Sequence, residues 1–292
     1  MPASAQTVTA TLSGHVLDSS GSAIPNSEVT ATNTATGFTR SASASGEGEY
    51  LITALPAGTY TVTASAKGFK KAAKAVNLLV GQAATLDVTL QVGETSTQVT
   101  VEANTEVTEP TRTQISTVIQ ERQIESLPVN GREFIDFALL SPAVQIGDTT
   151  SGSTDVIVEP VTKLSFAGQN IHFNFIAVDG ADDISTVSGI QRGTPPQDSV
   201  QEFRVINTNY TTDFGRAVGG IVNIITKSGT NQWHGSLYEY FRNDVLDATS
   251  ILAAPGLNTL RQNQFGGSIG GPIRKTKTFI FANYEGQRRG ES

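Results

Sequence analysis

The segment from Ile221 to Ile225 constrains the fold more than any other part of the sequence. Four of its five residues are β-branched, and glycines lie on both sides of it, at 219–220 and at 229. β-Branched residues favour strands, and a short apolar run between turn residues is typical of a strand buried on both faces. The sequence therefore predicts a buried strand whose flanking glycines permit unusual backbone conformations or close approaches.

A second strand is predicted just upstream, because Val200–Val205 alternates apolar and polar residues as a half-buried strand does. About fifteen residues separate the two strands, and loops of this length without regular structure usually serve a function. This loop contains Arg216. A guanidinium can form a bidentate pair with a carboxylate even where water is scarce, so we expect Arg216 to have a specific partner.

Residues 8–92 are predicted to form a small β-sandwich. Short runs with strand composition alternate with turn residues at the spacing of a sandwich. The predicted strands include Val29–Thr32, Tyr50–Ile52, Tyr60–Ala64 and Leu86–Leu90. Tyr50 and Tyr60 have two interpretations: they belong to a carbohydrate-stacking surface, or they pack in the core.

Residues 93–110 are predicted to be a linker, because apolar residues are too sparse there to form a core. Within it, Gln98, Val99, Thr100, Val101, Glu102 and Ala103 form an alternating hexapeptide with strand propensity. The hexapeptide is either the last strand of the sandwich or a tethered strand that adds to the exposed sheet edge of a partner.

Residues 111–231 are predicted to contain two short helices. The first, Glu121–Leu127, must end before Pro128, and the second, from Glu133 to Leu140, is apolar enough to be buried. Further on, Asp179-Gly180 predicts a tight turn after a strand. Asp179 and the carboxylates at 182 and 183 could bind a hard cation, but they lack the spacing of a calcium loop, and turn capping is the alternative.

Residues 232–292 contain three segments of about 9–11 residues, the length of a membrane-crossing β-strand. They are Trp233–Phe241, Asn263–Gly271 and Thr278–Gly286. In the first, Tyr238 and Tyr240 fall on one face and Leu237 and Phe241 on the other.

Composition excludes several classes of function. The chain has no cysteine, so it contains no disulfide or thiolate metal site. Its net charge of −7 argues against nucleic-acid binding, and no window approaches the ~20 apolar residues of a membrane helix. No motif positions a nucleophile or an acid–base pair, so we predict no catalytic residue, no metal and no cofactor. Residues 1–7, with Ala3-Ser4-Ala5, are typical of a signal-peptide cleavage site and are expected to be disordered.

Several motifs together resemble one family. Residues 201–203, 213–216, 219–220 and 226–231 resemble the end of the plug domain of TonB-dependent outer-membrane receptors, and the loop 127–132 resembles a characteristic loop of that plug. Residues 13–16, 48–50, 55–60 and 68–69 resemble the carboxypeptidase regulatory-like domain. The motifs at 234–237, 241–243, 263–267 and 270–272 resemble the first strands of the receptor barrel. The combination is similar to the acidobacterial-type, Oar-like branch of the family.

The resemblance implies a mainly β fold: a transthyretin-like sandwich over 8–92, a linker over 93–110, a small α+β plug domain over 111–231 and the first barrel strands over 232–292. It implies that the plug gates energy-coupled uptake of a substrate across the outer membrane. Gln98–Ala103 would be the Ton box that a periplasmic TonB-type energy transducer binds. Arg132 and Arg216 would contact the barrel. The protein would lie in the outer membrane, with its plug in the barrel lumen and its sandwich on the periplasmic side.

Chain length limits what these residues could form alone. A plugged barrel of about 22 strands needs at least ~220 residues, and 61 follow Asn231, so we expect this chain to supply only the opening strands. An alternative is a secreted or surface adhesin whose sandwich binds carbohydrate. A third interpretation, an accessory domain of a peptidase, depends on the regulatory-like domain alone.

Overall fold

A computed structural model describes residues 9–93, 100–102, 108–109, 113–127, 129–147, 163–185, 191–210, 215, 217–246 and 260–291. The strands are β1 (Thr9–Asp18), β2 (Glu28–Asn33), β3 (Thr39–Ser43), β4 (Glu49–Pro56), β5 (Gly58–Ser65), β6 (Ala72–Leu78), β7 (Ala83–Thr85), β8 (Val88–Leu90), β9 (Thr100–Glu102), β10 (Ile115–Gln120), β11 (Val144–Ile146), β12 (Leu164–Phe166), β13 (Phe175–Val178), β14 (Ala181–Asp182), β15 (Val200–Thr208), β16 (Ile221–Thr226), β17 (His234–Asn243), β18 (Leu260–Arg274) and β19 (Thr278–Glu291). Helix α1 spans Glu121–Ser126, and 3₁₀-helices span Asn130–Arg132, Phe134–Leu140, Ile171–Phe173, Gln197–Ser199 and Asp244–Leu246. The predicted signal-peptide remnant, residues 1–7, lies outside the described residues.

The N-terminal part is a two-sheet β-sandwich, as predicted. One sheet has the order β4-β1-β7, with β8 also paired to β1, and the other has the order β3-β2-β5-β6-β9. Alternate residues of β1 and β5 point into a shared core of aliphatic side chains, which include Leu12, Val16 and Val62. The core is continuous because each strand buries only one of its two faces.

Tyr50 and Tyr60 belong to this core. Both side chains are buried, and their hydroxyls donate hydrogen bonds to the carbonyls of Leu86 at 2.6 Å and Pro56 at 2.8 Å. Burial, with the nearby Asp87 carboxylate, raises the pKa of Tyr50 above its ordinary value. The interpretation of this pair as a carbohydrate-stacking surface is therefore wrong, since neither ring is accessible to a sugar.

Gly14 lies where β1 changes its parallel partner. Residues 11–13 pair with β7 and residues 16–18 pair with β8. Between them, Ser13 accepts a backbone hydrogen bond from Leu86, and the His15 amide donates to the Asp87 carboxylate at 2.8 Å. A Cβ on Gly14 would lie 2.0 Å from the Leu86 carbonyl oxygen, so only glycine fits at this position. Because of this change of partner, only Val88–Leu90 of the predicted strand Leu86–Leu90 forms β8.

We predict that Gly14→Ala destabilises the sandwich by about 2 kcal/mol or more, because the new methyl group overlaps the Leu86 carbonyl. Gly46→Ala is the matched control, since nothing lies within 4 Å of its added Cβ. Hydrogen exchange of peptides from β1 and β8 measures the loss of stability. Equal protection in the two variants would contradict the prediction.

The middle of the chain forms a five-stranded mixed sheet with the order β10-β15-β16-β13-β14. β10 and β15 are antiparallel, whereas β13 and β16 are parallel. Residues 221–224 of β16 are buried, which confirms the predicted buried strand. β15 is buried almost throughout, including Glu202 and Arg204, so the prediction of a half-buried strand is wrong.

Both predicted helices are present, but the second is a 3₁₀-helix and not an α-helix. Helix α1 begins with a capping box between Gln120 and Gln123 and ends at Ser126, one residue before the predicted end, with Leu127 as its C-cap. The second helix, Phe134–Leu140, is a 3₁₀-helix. Its buried residues include Phe134, whose ring packs edge-on against Phe203 of β15 with the ring centroids 5.5 Å apart.

The C-terminal residues form an antiparallel three-stranded sheet, β17-β18-β19. The chain divides into two compact units, of which this sheet forms most of the second, Pro195–Val200 with Lys227–Ser292. The sandwich and the mixed sheet belong to the first unit, Met1–Thr194 with Gln201–Thr226. Among the described residues, no helix is long and apolar enough to cross a membrane.

The register of the three-stranded sheet places most of its large exposed apolar side chains on one face. Tyr238 pairs with Gly266, which pairs with Glu285, so these positions share one face with Gln264 two residues away. There the Glu285 carboxylate accepts hydrogen bonds from the Tyr238 hydroxyl at 2.6 Å and the Gln264 amide at 3.0 Å. The opposite face carries exposed apolar side chains, namely Leu237, Phe241, Ile269, Ile280 and Tyr284. The sheet is therefore amphipathic.

Candidate functional site

The start of β16 is held by close contacts at its glycine pair. A Cβ on Gly220 would lie 2.0 Å from Cδ1 of Phe166, and a Cβ on Gly219 would lie 2.4 Å from Oδ1 of Asn174. The Asn174 side chain donates to the Leu164 carbonyl at 2.6 Å and accepts from the Gly220 amide at 3.3 Å. Glycine is required here for close approach rather than for positive φ.

The end of β16 is held by Asp179. This residue and Gly180 both have positive φ, 50° and 82°, and they connect β13 to β14 in the predicted two-residue turn. The Asp179 carboxylate accepts hydrogen bonds from the Thr226 amide at 2.9 Å and the Thr226 hydroxyl at 2.7 Å. Asp179 therefore fixes the last residue of β16 to the end of β13.

The neighbouring acidic residues have separate partners. Asp182 accepts from the amide of Ile184 at 2.8 Å, and Asp183 accepts from the Gln191 side chain at 3.1 Å. Within the described part of the chain, no group of three or more acidic, histidine or cysteine side chains is arranged to hold a metal ion. The carboxylates act as local hydrogen-bond acceptors.

We predict that Gly220→Ala destabilises the first unit by roughly 1–3 kcal/mol, because the added methyl group overlaps the Phe166 ring. A smaller side chain at 166 relieves the overlap, so a double-mutant cycle with Phe166→Leu should give a coupling energy of about 1 kcal/mol or more. Chemical denaturation measures both the destabilisation and the coupling energy. The control is Gly215→Ala, at which nothing lies within 4 Å of the added Cβ. Strict additivity in the cycle would show that the contact is unimportant.

A buried charged pair on β15 contacts the sandwich. Glu202 and Arg204 are only 4% and 3% exposed. Glu202 Oε1 accepts a hydrogen bond from the Val80 amide at 2.5 Å, and Arg204 Nη1 donates one to the Val80 carbonyl at 2.9 Å. We call Glu202, Arg204 and the main chain of Val80 the Val80 clamp. It satisfies both backbone polar groups of a residue that is itself fully buried.

Arg204 has further partners on either side of the clamp. Its Nε donates to the Ser116 hydroxyl of β10 at 2.9 Å, and its Nη2 lies 3.9 Å from Oε1 of Glu109. Several donors of one guanidinium are therefore used, which suits arginine better than lysine at this position. Burial raises the pKa of Glu202 to about 7, and the Val80 hydrogen bond and the Arg204 charge only partly offset this.

The raised pKa of Glu202 predicts how stability depends on pH. Between about pH 5 and about pH 8 the native state retains a proton that the unfolded chain has released, so the free energy of unfolding falls as pH rises. The fall attributable to Glu202 should be on the order of 2–3 kcal/mol. Urea denaturation at several pH values measures it. In Glu202→Gln this component should be absent, and parallel curves for the two proteins would contradict the assignment.

The structure describes the predicted Ton box only in part. Thr100–Glu102 forms β9, which pairs in parallel with Ala72–Lys74 of β6 at the edge of the sandwich. Gln98, Val99 and Ala103 lie outside the described residues. The pairing shows that this segment has strand geometry, which both interpretations of the sequence require.

The structure describes one of the two arginines that are predicted to contact the barrel. Arg132 is half-buried and follows Gly131, and both have positive φ, 60° and 70°. Arg216 lies outside the described residues. A role of either residue in contacting a barrel stays a prediction. The Val80 clamp was missed, although charged residues at alternate positions of an otherwise apolar strand were a signal that could have indicated it.

Two family models match the sequence. The carboxypeptidase regulatory-like domain matches residues 11–91, and the outer membrane beta barrel domain matches residues 225–292. The matches agree with the sandwich and the amphipathic sheet, and the chain therefore combines a carboxypeptidase regulatory-like domain with residues of an outer membrane beta barrel domain.

Two relatives indicate a more specific family than the domain models do. It is 27% identical over 256 residues to the TonB-dependent transporter Oar of Myxococcus xanthus, covering 82% of this chain and 23% of Oar. It is 31% identical over 100 residues to an iron-regulated outer membrane virulence protein of Vibrio cholerae, covering 31% of this chain and 15% of that protein. The chain thus spans less than a quarter of the length of these relatives. The predicted resemblance to Oar-like TonB-dependent receptors is confirmed.

Among solved structures, the siderophore receptor PirA of Acinetobacter baumannii matches 61% of this chain and 25% of its own, with 23% identity and a TM-score of 0.45. The predicted fold class, mainly β with an N-terminal sandwich, is confirmed by the strands and sheets of the structure. The predicted outer-membrane location is confirmed by the outer membrane beta barrel model and by the two relatives named above.

Proposed function

We propose that this chain forms the periplasmic sandwich, the plug and the opening barrel strands of a TonB-dependent transporter, in which the plug gates energy-coupled uptake. The main support is the amphipathic sheet β17-β18-β19. One face has the Tyr238–Glu285–Gln264 hydrogen bonds, and the other exposes large apolar side chains, with Leu237 92% exposed. Strands of an outer-membrane barrel alternate in this way, apolar toward lipid and polar toward the lumen.

The mixed sheet is suited to act as the plug. Its central strand β16 is fixed at both ends, by Asn174 and Phe166 at the glycine pair and by Asp179 at Thr226. Such a sheet can hold the segment between β15 and β16 against a barrel interior. Arg132 and Arg216 are the proposed contacts with the barrel wall, where a guanidinium can pair with carboxylates. Gating of this kind requires a rearrangement of packed elements and no covalent chemistry.

The proposed Ton box, Gln98–Ala103, would bind the energy transducer by strand addition. β9 occupies the edge of the sandwich sheet and pairs with β6 over three residues. A partner strand that replaced this short pairing would gain backbone hydrogen bonds that depend little on side-chain identity. The same segment can therefore be an edge strand at rest and a partner strand during coupling.

We predict that Val101→Pro lowers binding of this chain to the periplasmic domain of a TonB-type transducer at least tenfold. Proline removes the amide that strand pairing needs. Pull-down and titration calorimetry with the purified transducer domain measure the change. Thr105→Pro is the matched control, because it lies in the same linker but outside the hexapeptide. Equal binding of wild type and Val101→Pro would exclude this segment as the Ton box.

A further inference from the structure

In the turn that joins β6 to β7, the amide and carbonyl of Val80 make no hydrogen bond within the turn and can bind groups outside it. The turn consists of Leu79, Val80, Gly81 and Gln82, and the Gln82 amide donates to the Leu79 carbonyl at 3.1 Å. Gly81, its third residue, has a φ of 61°, whereas Val80 does not have positive φ. This combination is that of a type II turn, in which the amide and carbonyl of the second residue make no hydrogen bond within the turn.

The Val80 clamp uses both of these groups. Glu202 accepts from the Val80 amide and Arg204 donates to its carbonyl. Glu202 and Arg204 are two residues apart on β15, so their side chains leave the same face of the mixed sheet. A carboxyl acceptor and a guanidinium donor that bind the two polar groups of a single residue fix both the position and the direction of the turn. Apolar packing alone is less directional.

The linker passes beside the same contact. The carbonyl of Thr108 accepts a hydrogen bond from the amide of Thr85 in β7 at 2.9 Å, and the next residue, Glu109, lies near Arg204. A single guanidinium therefore contacts the sandwich, the linker and the mixed sheet. Removal of one clamp partner would leave a buried charge or a buried backbone group unsatisfied.

We propose that the Val80 clamp is the interaction surface that fixes the β-sandwich to the mixed sheet, so that the two move as one body. The turn Leu79–Gln82 is one side of this surface, and Glu202 with Arg204 is the other. The linker would then not be a free hinge. This inference does not depend on energy coupling, because it concerns contacts within the first unit alone.

The test separates the clamp from the folding of either part. The chain has no cysteine, so spin labels can be placed at Glu47→Cys in the sandwich and Arg122→Cys in α1, both exposed. Pulsed electron paramagnetic resonance on the full chain should give one narrow distance distribution. Val80→Pro removes the amide that Glu202 binds, and proline fits the second position of a type II turn. The distribution should at least double in width in this variant.

Val80→Ala is the matched control, because it shortens the side chain but keeps both backbone groups, and it should retain the narrow distribution. Hydrogen exchange of β2 and β5 shows whether the sandwich remains folded in Val80→Pro. If it does not, Glu202→Leu and Arg204→Met, which remove the carboxyl acceptor and the guanidinium donors, break the contact from the opposite side and should broaden the distribution. A narrow distribution in Val80→Pro with a folded sandwich, or in both β15 variants, would overturn the proposal.

Discussion

The mixed sheet depends on the absence of a side chain at Gly220. The Phe166 ring occupies the volume that a Cβ would fill, and Asn174 bonds to the backbone of the same residue. These contacts fix the start of β16, while the Asp179 carboxylate fixes its end at Thr226. A parallel strand pair such as β13 and β16 has no hairpin to set its register. Side-chain contacts at both ends supply that constraint instead.

Charged and polar residues have different roles in the buried strand β15 and in the amphipathic sheet of β17 and β19. On β15, Glu202 and Arg204 are buried and bind the main chain of Val80, where desolvation raises the pKa of the carboxyl group. On β17 and β19, Tyr238 and Glu285 form a polar face of an amphipathic sheet. In both cases the side chains alternate with apolar ones along the strand. The environment of each face, rather than the alternation, decides what the polar residues do.

The proposed function depends on physical properties that differ among the parts of the chain. The sandwich has a continuous apolar core, and β1 changes its parallel partner at Gly14, where only glycine fits. Both features suit a rigid module. The segment that follows it contributes only a three-residue strand at a sheet edge, which suits reversible strand exchange. The sheet β17-β18-β19 exposes apolar side chains on one face, and the outer membrane beta barrel model matches these residues. No covalent chemistry is needed to connect these properties to gated uptake.

The sequence by itself determined the local elements whose signals are short-range. The β-branched composition predicted β16, the Asp-Gly pair predicted the turn after β13, and Pro128 predicted the end of α1. β1 was not among the predicted strands, although its residues alternate between partly exposed polar and buried positions, and the 3₁₀ geometry of residues 134–140 was not predicted. Short-range preferences differ too little between α- and 3₁₀-helices to distinguish them.

Only the tertiary structure decided the contacts between residues far apart in the chain. The close approach of Phe166 to Gly220, the hydrogen bond from Tyr50 to Leu86, and the Val80 clamp all join residues separated by tens of positions or more. Glu202 and Arg204 are separated from Val80 by more than a hundred residues. Their own segment shows charged residues within an apolar strand, but it does not show which backbone groups lie opposite them. Their role follows from which backbone the fold brings opposite them, because a buried charge is stable only where such a partner is present.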